Sequence, residues 1–141
     1  MVYCLEILKG KEKIVAFRDM QIILSNFMED KKFNPFEIQL FDRVLKNDIS
    51  AYHEENIHSS GYVLDSLQAS FWCFLNSNSY EEAVLKAVNL GEDTDTTGAI
   101  TGGLAGIYYR MENIPSKWVQ SLVRTSDIKD LAERLSKKLM L

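Results

Sequence analysis

The residues with the clearest chemistry lie together in Gly91-Glu92-Asp93-Thr94-Asp95-Thr96-Thr97-Gly98, three carboxylates and three hydroxyls between two glycines. Asp93 and Asp95 are two positions apart, so in an extended or turning backbone both side chains can converge on one cation. Oxygen donors of this kind suit Mg²⁺, Mn²⁺ or Ca²⁺ and do not suit copper or structural zinc. Thr96 can add a hydroxyl oxygen. A solvated capping loop would need one Asp and one Thr. Three carboxylates within four residues repel one another unless something positive intervenes.

Two known metal patterns can be tested by position. An EF-hand loop beginning at Asp93 has oxygen ligands at Asp93, Asp95 and Thr97, but its twelfth position falls on Leu104 where a bidentate Glu is required. The Asp-x-Asp-x-Thr of haloacid-dehalogenase-type phosphatases matches Asp93 to Thr97 by letter. That motif ends a buried parallel strand, whereas here the residues before it are capped and helix-periodic.

The elements that must position this loop read as helices. Residues 1–9 form a helix closed by Gly10, and residues 11–28 a second. Asn34-Pro35-Phe36-Glu37 is a helix start, with Asn34 as cap, Pro35 at the first position and Glu37 completing a capping box. Phe36, Leu40, Phe41, Val44 and Leu45 mark its expected buried face. Residues 47–60 read as a polar loop, with His53 and His58 on its surface. Leu64, Leu67, Phe71 and Phe74 recur at helical spacing in a core helix over 61–75. Ser79 and Glu82 open a helix that Gly91 stops.

The acidic loop therefore separates two helices. The second is expected to be buried, with Gly98, Gly102 and Gly106 on one face against another backbone; it is too short for a membrane dimer motif. Pro115 and Trp118 begin a short helix. Ser126 is expected to cap the last one, whose stripe is Ile128, Leu131, Leu135 and Leu139. No segment alternates with period two, so the class is all-α, one domain over 1–141 with six to eight helices.

Composition narrows the partners. The chain has 141 residues with a net charge of −4 and no Lys/Arg stripe, which argues against nucleic acid. No run approaches the roughly 20 apolar residues of a membrane span. Cys4 and Cys73 lie in apolar runs without metal-ligand spacing and read as buried free thiols in a reducing cytoplasm. Met1 to Leu8 is apolar from the outset, which points to a piece of a longer chain.

Two separated stretches resemble the ADP-ribosylglycohydrolases. Asn89-Leu90-Gly91-Glu92-Asp93-Thr94-Asp95-Thr96, followed by the small-residue helix through Gly106 and Tyr108-Tyr109, is similar to the C-terminal signature of that family. Ser59-Ser60-Gly61-Tyr62-Val63-Leu64-Asp65-Ser66-Leu67, with Phe71-Trp72 and Phe74-Leu75, resembles the family's Ser-Gly-Tyr-Val-x-Asp-Thr-Leu segment. The resemblance covers residues from about 57 to 135.

It implies an all-α fold whose cleft holds two divalent cations, usually Mg²⁺, with Asp93, Asp95 and Thr96 as metal ligands. It also implies that Ser59, Ser60, Gly61 and Tyr62 contact ADP-ribose, and that the chemistry is hydrolysis of a glycosidic bond to a protein side chain. No catalytic acid or base is assigned. The family's glycine-rich Gly-Asp segment and Thr-Asp-Asp motif, which supply further ligands from the N-terminal half, have no match here; Glu29-Asp30 is the nearest acidic pair. Glu92 stands where the family form carries glycine. Three readings remain open: the C-terminal part of a hydrolase, one half of a site completed by a second chain or an oligomer, and a non-catalytic ADP-ribose-binding or helical interaction module.

Overall fold

The computed structural model describes residues 1–139, and among them there are helices and no strand. Nine α-helices follow in order: α1 (Val2–Leu8), α2 (Lys13–Asp30), α3 (Pro35–Gln39), α4 (Asp42–Leu45), α5 (Val63–Leu75), α6 (Tyr80–Asn89), α7 (Thr94–Tyr109), α8 (Ser116–Ser121) and α9 (Thr125–Leu139). The count exceeds the expected range because the helix opened by Asn34 breaks at Leu40 and Phe41 into α3 and α4. Residues 47–60 are a loop containing two single 3-10 turns, Ile49–Ala51 and Glu54–Asn56.

Local chemistry accounts for most boundaries. The Asn34 side chain accepts from the Phe36 N–H at 3.0 Å, and Pro35 occupies the first helical position, where its missing N–H costs nothing. Ser79 Oγ accepts from the Glu82 N–H at 3.1 Å, while the Glu82 carboxylate accepts from the Asn78 N–H at 2.7 Å. Gly10 and Gly91 end α1 and α6 with φ of +84° and +85°, a left-handed turn that glycine adopts without steric penalty.

Helix α5 is the centre of the fold. Phe71, Trp72, Cys73, Phe74 and Leu75 are all buried, and Phe74 is inaccessible. Tyr3 and Phe17 each meet Phe71 edge-on at 5.1 Å, and Phe74 meets Tyr108 at 5.7 Å, the geometry that ring quadrupoles favour. Lys13 closes the C-terminal end of α5. Its ammonium donates to the carbonyls of Phe74, Leu75 and Ser77 and to the Tyr109 hydroxyl, a cation placed where the helix dipole is negative. Burial holds that ammonium below its ordinary value.

The glycine stripe packs against α6, but its neighbours are side chains rather than the expected backbone. A Cβ on Gly98 would lie 3.0 Å from Val88 Cγ1, and one on Gly102 would lie 3.3 Å from the Tyr80 hydroxyl and 3.7 Å from Val84 Cγ2. Tyr80, Val84 and Val88 recur every four residues on α6, so a ridge of larger side chains fills a groove of glycines.

Several expectations fail. Phe36 and Leu40 are 82% and 60% exposed, although Val44 and Leu45 are buried, because the break between α3 and α4 turns the first two away from the core. Ile100 and Ile107 leave one side of α7 partly open. Ser126 does not cap the last helix; α9 begins at Thr125, and the Ile128 N–H bonds to the Arg124 carbonyl. The α9 stripe exists but is uncovered: Ile128, Leu131, Leu135 and Leu139 are 56%, 61%, 56% and 75% exposed. Both cysteines are free thiols; Cys73 is buried, its pKa pushed up to about 12 by desolvation, while Cys4 is only half-buried. Among the described residues no helix is long and apolar enough to cross a membrane.

Candidate functional site

The two stretches singled out in the sequence meet in space although about 30 residues separate them. Ser59 is buried against the acidic turn: its Oγ donates to the Gly91 carbonyl at 2.8 Å, and its own carbonyl accepts from the Asp93 N–H at 3.0 Å. A Cβ on Gly61 would lie 3.2 Å from Asp93 Oδ2, so the Asp93 carboxylate rests over the backbone of Gly61. Any other residue at 61 would crowd that carboxylate.

The turn before α5 is held from below. Ser60 Oγ donates to Asp65 Oδ2 at 2.6 Å and accepts from the Tyr62 N–H at 3.2 Å. Ser66 Oγ lies within hydrogen-bond distance of the Ser60 and Tyr62 carbonyls, and Ser70 Oγ donates to the Ser66 carbonyl at 2.6 Å. Asp65 and Ser66 thus anchor this turn, a role the motif itself did not assign them. Their spacing from Ser60, five and six residues across a helix start, is the signal that marks them.

Helix α7 begins four residues earlier than the glycine stripe suggested, which places Asp95 and Thr96 on its first turn and Asp93 at the position before it. Asp93 makes no side-chain cap bond to the helix, so its carboxylate is directed toward its neighbours. The hydrogen bond with Asp93 holds the Asp95 carboxyl below its ordinary value, helped by the N–H groups of Thr96 and Asp95 itself. Two carboxylates this close need a proton or a cation between them. They are open to solvent: Asp93 is half-buried, and Asp95 and Thr96 are exposed.

Glu92 does not join them. It has φ of +55°, a left-handed conformation that costs a side chain roughly 1–2 kcal/mol. It lines a separate polar cavity of about 670 Å³ with His53, Glu54, Glu55 and His58. The strain explains why glycine suits this position. Among the described residues no three His, Cys, Asp or Glu side chains converge as a metal site. Asp93 and Asp95 are hard oxygen donors and fit Mg²⁺ or Mn²⁺ as part of a six-oxygen shell, not as the whole of it.

The Thr97 and Thr101 hydroxyls are fully buried on α7 and have no hydrogen-bond partner. By position in the chain Thr97 belongs to the acidic cluster. The helix geometry turns it inward, toward Ser70, whose Oγ lies 3.4 Å from the Thr97 carbonyl.

An all-α fold with a serine–glycine turn docked on an acidic helix start defines a recognisable class. The family whose sequence profile matches is ADP-ribosylglycohydrolase, over residues 6–140, and the chain belongs to that family. It is 38% identical over 119 residues to ADP-ribosylarginine hydrolase Tri1 of Serratia proteamaculans, covering 82% of this chain and 32% of that protein. It is 38% identical over 64 residues to ADP-ribosyl-[dinitrogen reductase] glycohydrolase of Rhodospirillum rubrum, covering 45% of this chain and 22% of that protein. ADP-ribosylhydrolase ARH3 of Bos taurus is 28% identical over 122 residues, covering 77% of this chain and 33% of that protein. The chain thus spans about a third of the length of its longest-matching relatives.

Proposed function

We propose that this chain supplies one wall of a Mg²⁺-dependent centre that hydrolyses the glycosidic bond between ADP-ribose and a protein side chain. The observation that carries the reading is the placement of the Asp93 carboxylate over Gly61, which joins the acidic helix start to the Ser59–Tyr62 turn. Asp93 and Asp95 would hold the cation, with Thr96 beside them. When bound, the cation supplies Lewis acidity toward ribose hydroxyls and an attacking water.

The rest is the work of this chain's own groups. Gly61 leaves its backbone open to close approach by a ribose or phosphate. Tyr62, 55% exposed, offers a ring face beside it. Ser59 acts through the loop it pins, since its hydroxyl is committed to Gly91. Asp65 and Ser66 fix the turn so that no binding energy is lost in ordering it.

Two carboxylates are too few for a six-oxygen shell, and the matches cover about a third of the longest-matching relatives, so oxygens from outside these residues would complete the site. Two free thiols are consistent with a cytoplasmic setting. The competing reading is a module that binds ADP-ribose without turnover; among the described residues no third His, Cys, Asp or Glu converges with Asp93 and Asp95.

The test is ADP-ribose release from an ADP-ribosyl-arginine peptide, with parallel calorimetry of ADP-ribose binding with and without Mg²⁺. The expected result is Mg²⁺-dependent binding that Asp93→Asn and Asp95→Asn each weaken at least tenfold. Binding that ignores both Mg²⁺ and the substitutions would overturn the site. Turnover by the chain alone would show that these residues suffice for the reaction.

A further inference from the structure

Helix α7 turns one narrow stripe toward α5. Its buried residues are Thr97, Thr101 and Ala105, four apart, and Asp93 stands one step further out on the same line. The Thr97 N–H bonds to the Asp93 carbonyl at 3.1 Å, so the helical register runs unbroken from one to the other. Side chains four apart on a helix share a face, and each leans toward the helix N-terminus. Thr97 is therefore the first side chain beneath the Asp93 carboxylate, on the flank where that carboxylate rests over Gly61. Its hydroxyl is inaccessible and has no hydrogen-bond partner among the described residues. A buried hydroxyl left unpaired is a net cost to folding, and valine would fill the same space without it.

We infer that Thr97 is a positioning residue: its hydroxyl donates to the Asp93 carboxylate when that carboxylate holds a divalent cation, and so fixes its orientation. The inference rests on the reading of Asp93 as a cation ligand. A carboxylate that ligates a metal ion is as a rule hydrogen-bonded in turn by a neighbouring group, which orients it. The reach is sufficient. Neighbouring Cβ atoms four apart on a helix are roughly 5–6 Å from each other, a gap that rotation of an aspartate and a threonine side chain can close.

The serines around this point are already committed. Ser59 Oγ donates to the Gly91 carbonyl, Ser60 Oγ to Asp65 and Ser70 Oγ to the Ser66 carbonyl, while Ser66 Oγ lies against the Ser60 and Tyr62 carbonyls. Asp93 for its part makes no side-chain bond to its own helix. Donor and acceptor are thus both available on the Gly61 side of α7. Thr101 supplies an internal comparison, being equally buried and equally without a partner among the described residues. It lies eight residues from Asp93, about 12 Å along the helix axis, and cannot reach the carboxylate.

The experiment uses the full chain with Mn²⁺ as the probe, the free ion being followed by electron paramagnetic resonance, and thermal unfolding measured without cation. Thr97→Val should weaken Mn²⁺ binding roughly 10–100-fold, the usual cost of losing a group that orients a metal ligand. Its unfolding temperature should be unchanged or raised. Thr97→Ser, which keeps the hydroxyl, should retain the affinity of the unaltered chain, and so should Thr101→Val. Undiminished binding by Thr97→Val overturns the inference. So does an equal loss in Thr101→Val, which would assign the effect to α5–α7 packing, or an equal loss in Thr97→Ser. A lower unfolding temperature for Thr97→Val without cation also overturns it, since the hydroxyl would then have a partner in the unloaded fold. Failure of the cation reading itself looks different: the unaltered chain binds no Mn²⁺, or Asp93→Asn binds it as well, and the inference falls with that reading.

Discussion

Helices α5 and α9 carry similar apolar stripes and end in opposite environments. On α5, Leu64, Phe71 and Phe74 lie under α1, α2, α6 and α7, and even the intervening Ser66 and Ser70 are buried. On α9, Ile128, Leu131, Leu135 and Leu139 keep at least half of their surface in water. An amphipathic period forms a helix and chooses its sticky side. Whether that side is covered depends on what the rest of the fold brings to it. The same division runs through α2, whose Ala16, Phe17 and Met20 are buried, while Ile22 and Phe27 are 60% and 48% exposed.

The sharpest way to break this comparison is to truncate one aromatic on each side of it. Phe74→Ala removes an inaccessible ring and should cost about 3–5 kcal/mol in urea unfolding. Phe36→Ala, at 82% exposure, should change stability by no more than about 0.5 kcal/mol. Equal effects would show that the rim is covered in solution by more than the structure contains.

Glycines on α7 give a second, smaller contrast. A methyl on Gly98 would meet the branched Val88 side chain at 3.0 Å, and Gly98→Ala should destabilise by about 1–3 kcal/mol as α6 and α7 are forced apart. Gly103 has nothing within 4 Å of its Cβ direction, and Gly103→Ala should stabilise by up to about 1 kcal/mol through helix propensity alone. Thermal unfolding of the two variants tests the sign of each.

The smallest effect concerns Glu6, at the joint of α1 and α2. Its carboxylate is buried and accepts from Lys9 and Lys11, each at 2.6 Å, and Lys11 also reaches Asp19. These hydrogen bonds, Lys11 first, hold its pKa below the ordinary 4.5. A carboxyl that ionises more readily when folded stabilises the protein above that ordinary value, and the contribution is lost as pH falls through the depressed one. Glu6→Gln should therefore flatten the acid limb of a stability–pH profile measured from pH 7 down to 3. An unchanged limb would place the acid sensitivity on other carboxylates.

The two stretches of the candidate site were legible because their signals are local. A dense run of oxygen donors bounded by Gly91, and a serine–glycine turn before an apolar period, follow from residue type and spacing alone. What the sequence could not supply was the approach of Asp93 to Gly61, since nothing within either stretch encodes their distance. Nor could it separate Glu92 from Asp93 and Asp95: the three are neighbours in the chain, and a left-handed φ at residue 92 sends its side chain to another cavity. Thr97 was drawn inward by the earlier start of α7 in the same way.

The amino-acid sequence by itself determined the helical class, the caps at Asn34 and Ser79, the stops at Gly10 and Gly91, and the glycine face of α7. These are set by interactions within a few residues of one another, so neighbouring side chains and backbone propensity suffice to define them. The tertiary structure alone decided which apolar faces are covered, that the Ser59 turn docks against Asp93, and that α9 stands with its stripe in solvent. Those outcomes depend on contacts between residues far apart in the chain, where the gain comes from burying two surfaces against each other and neither carries a local record of its partner.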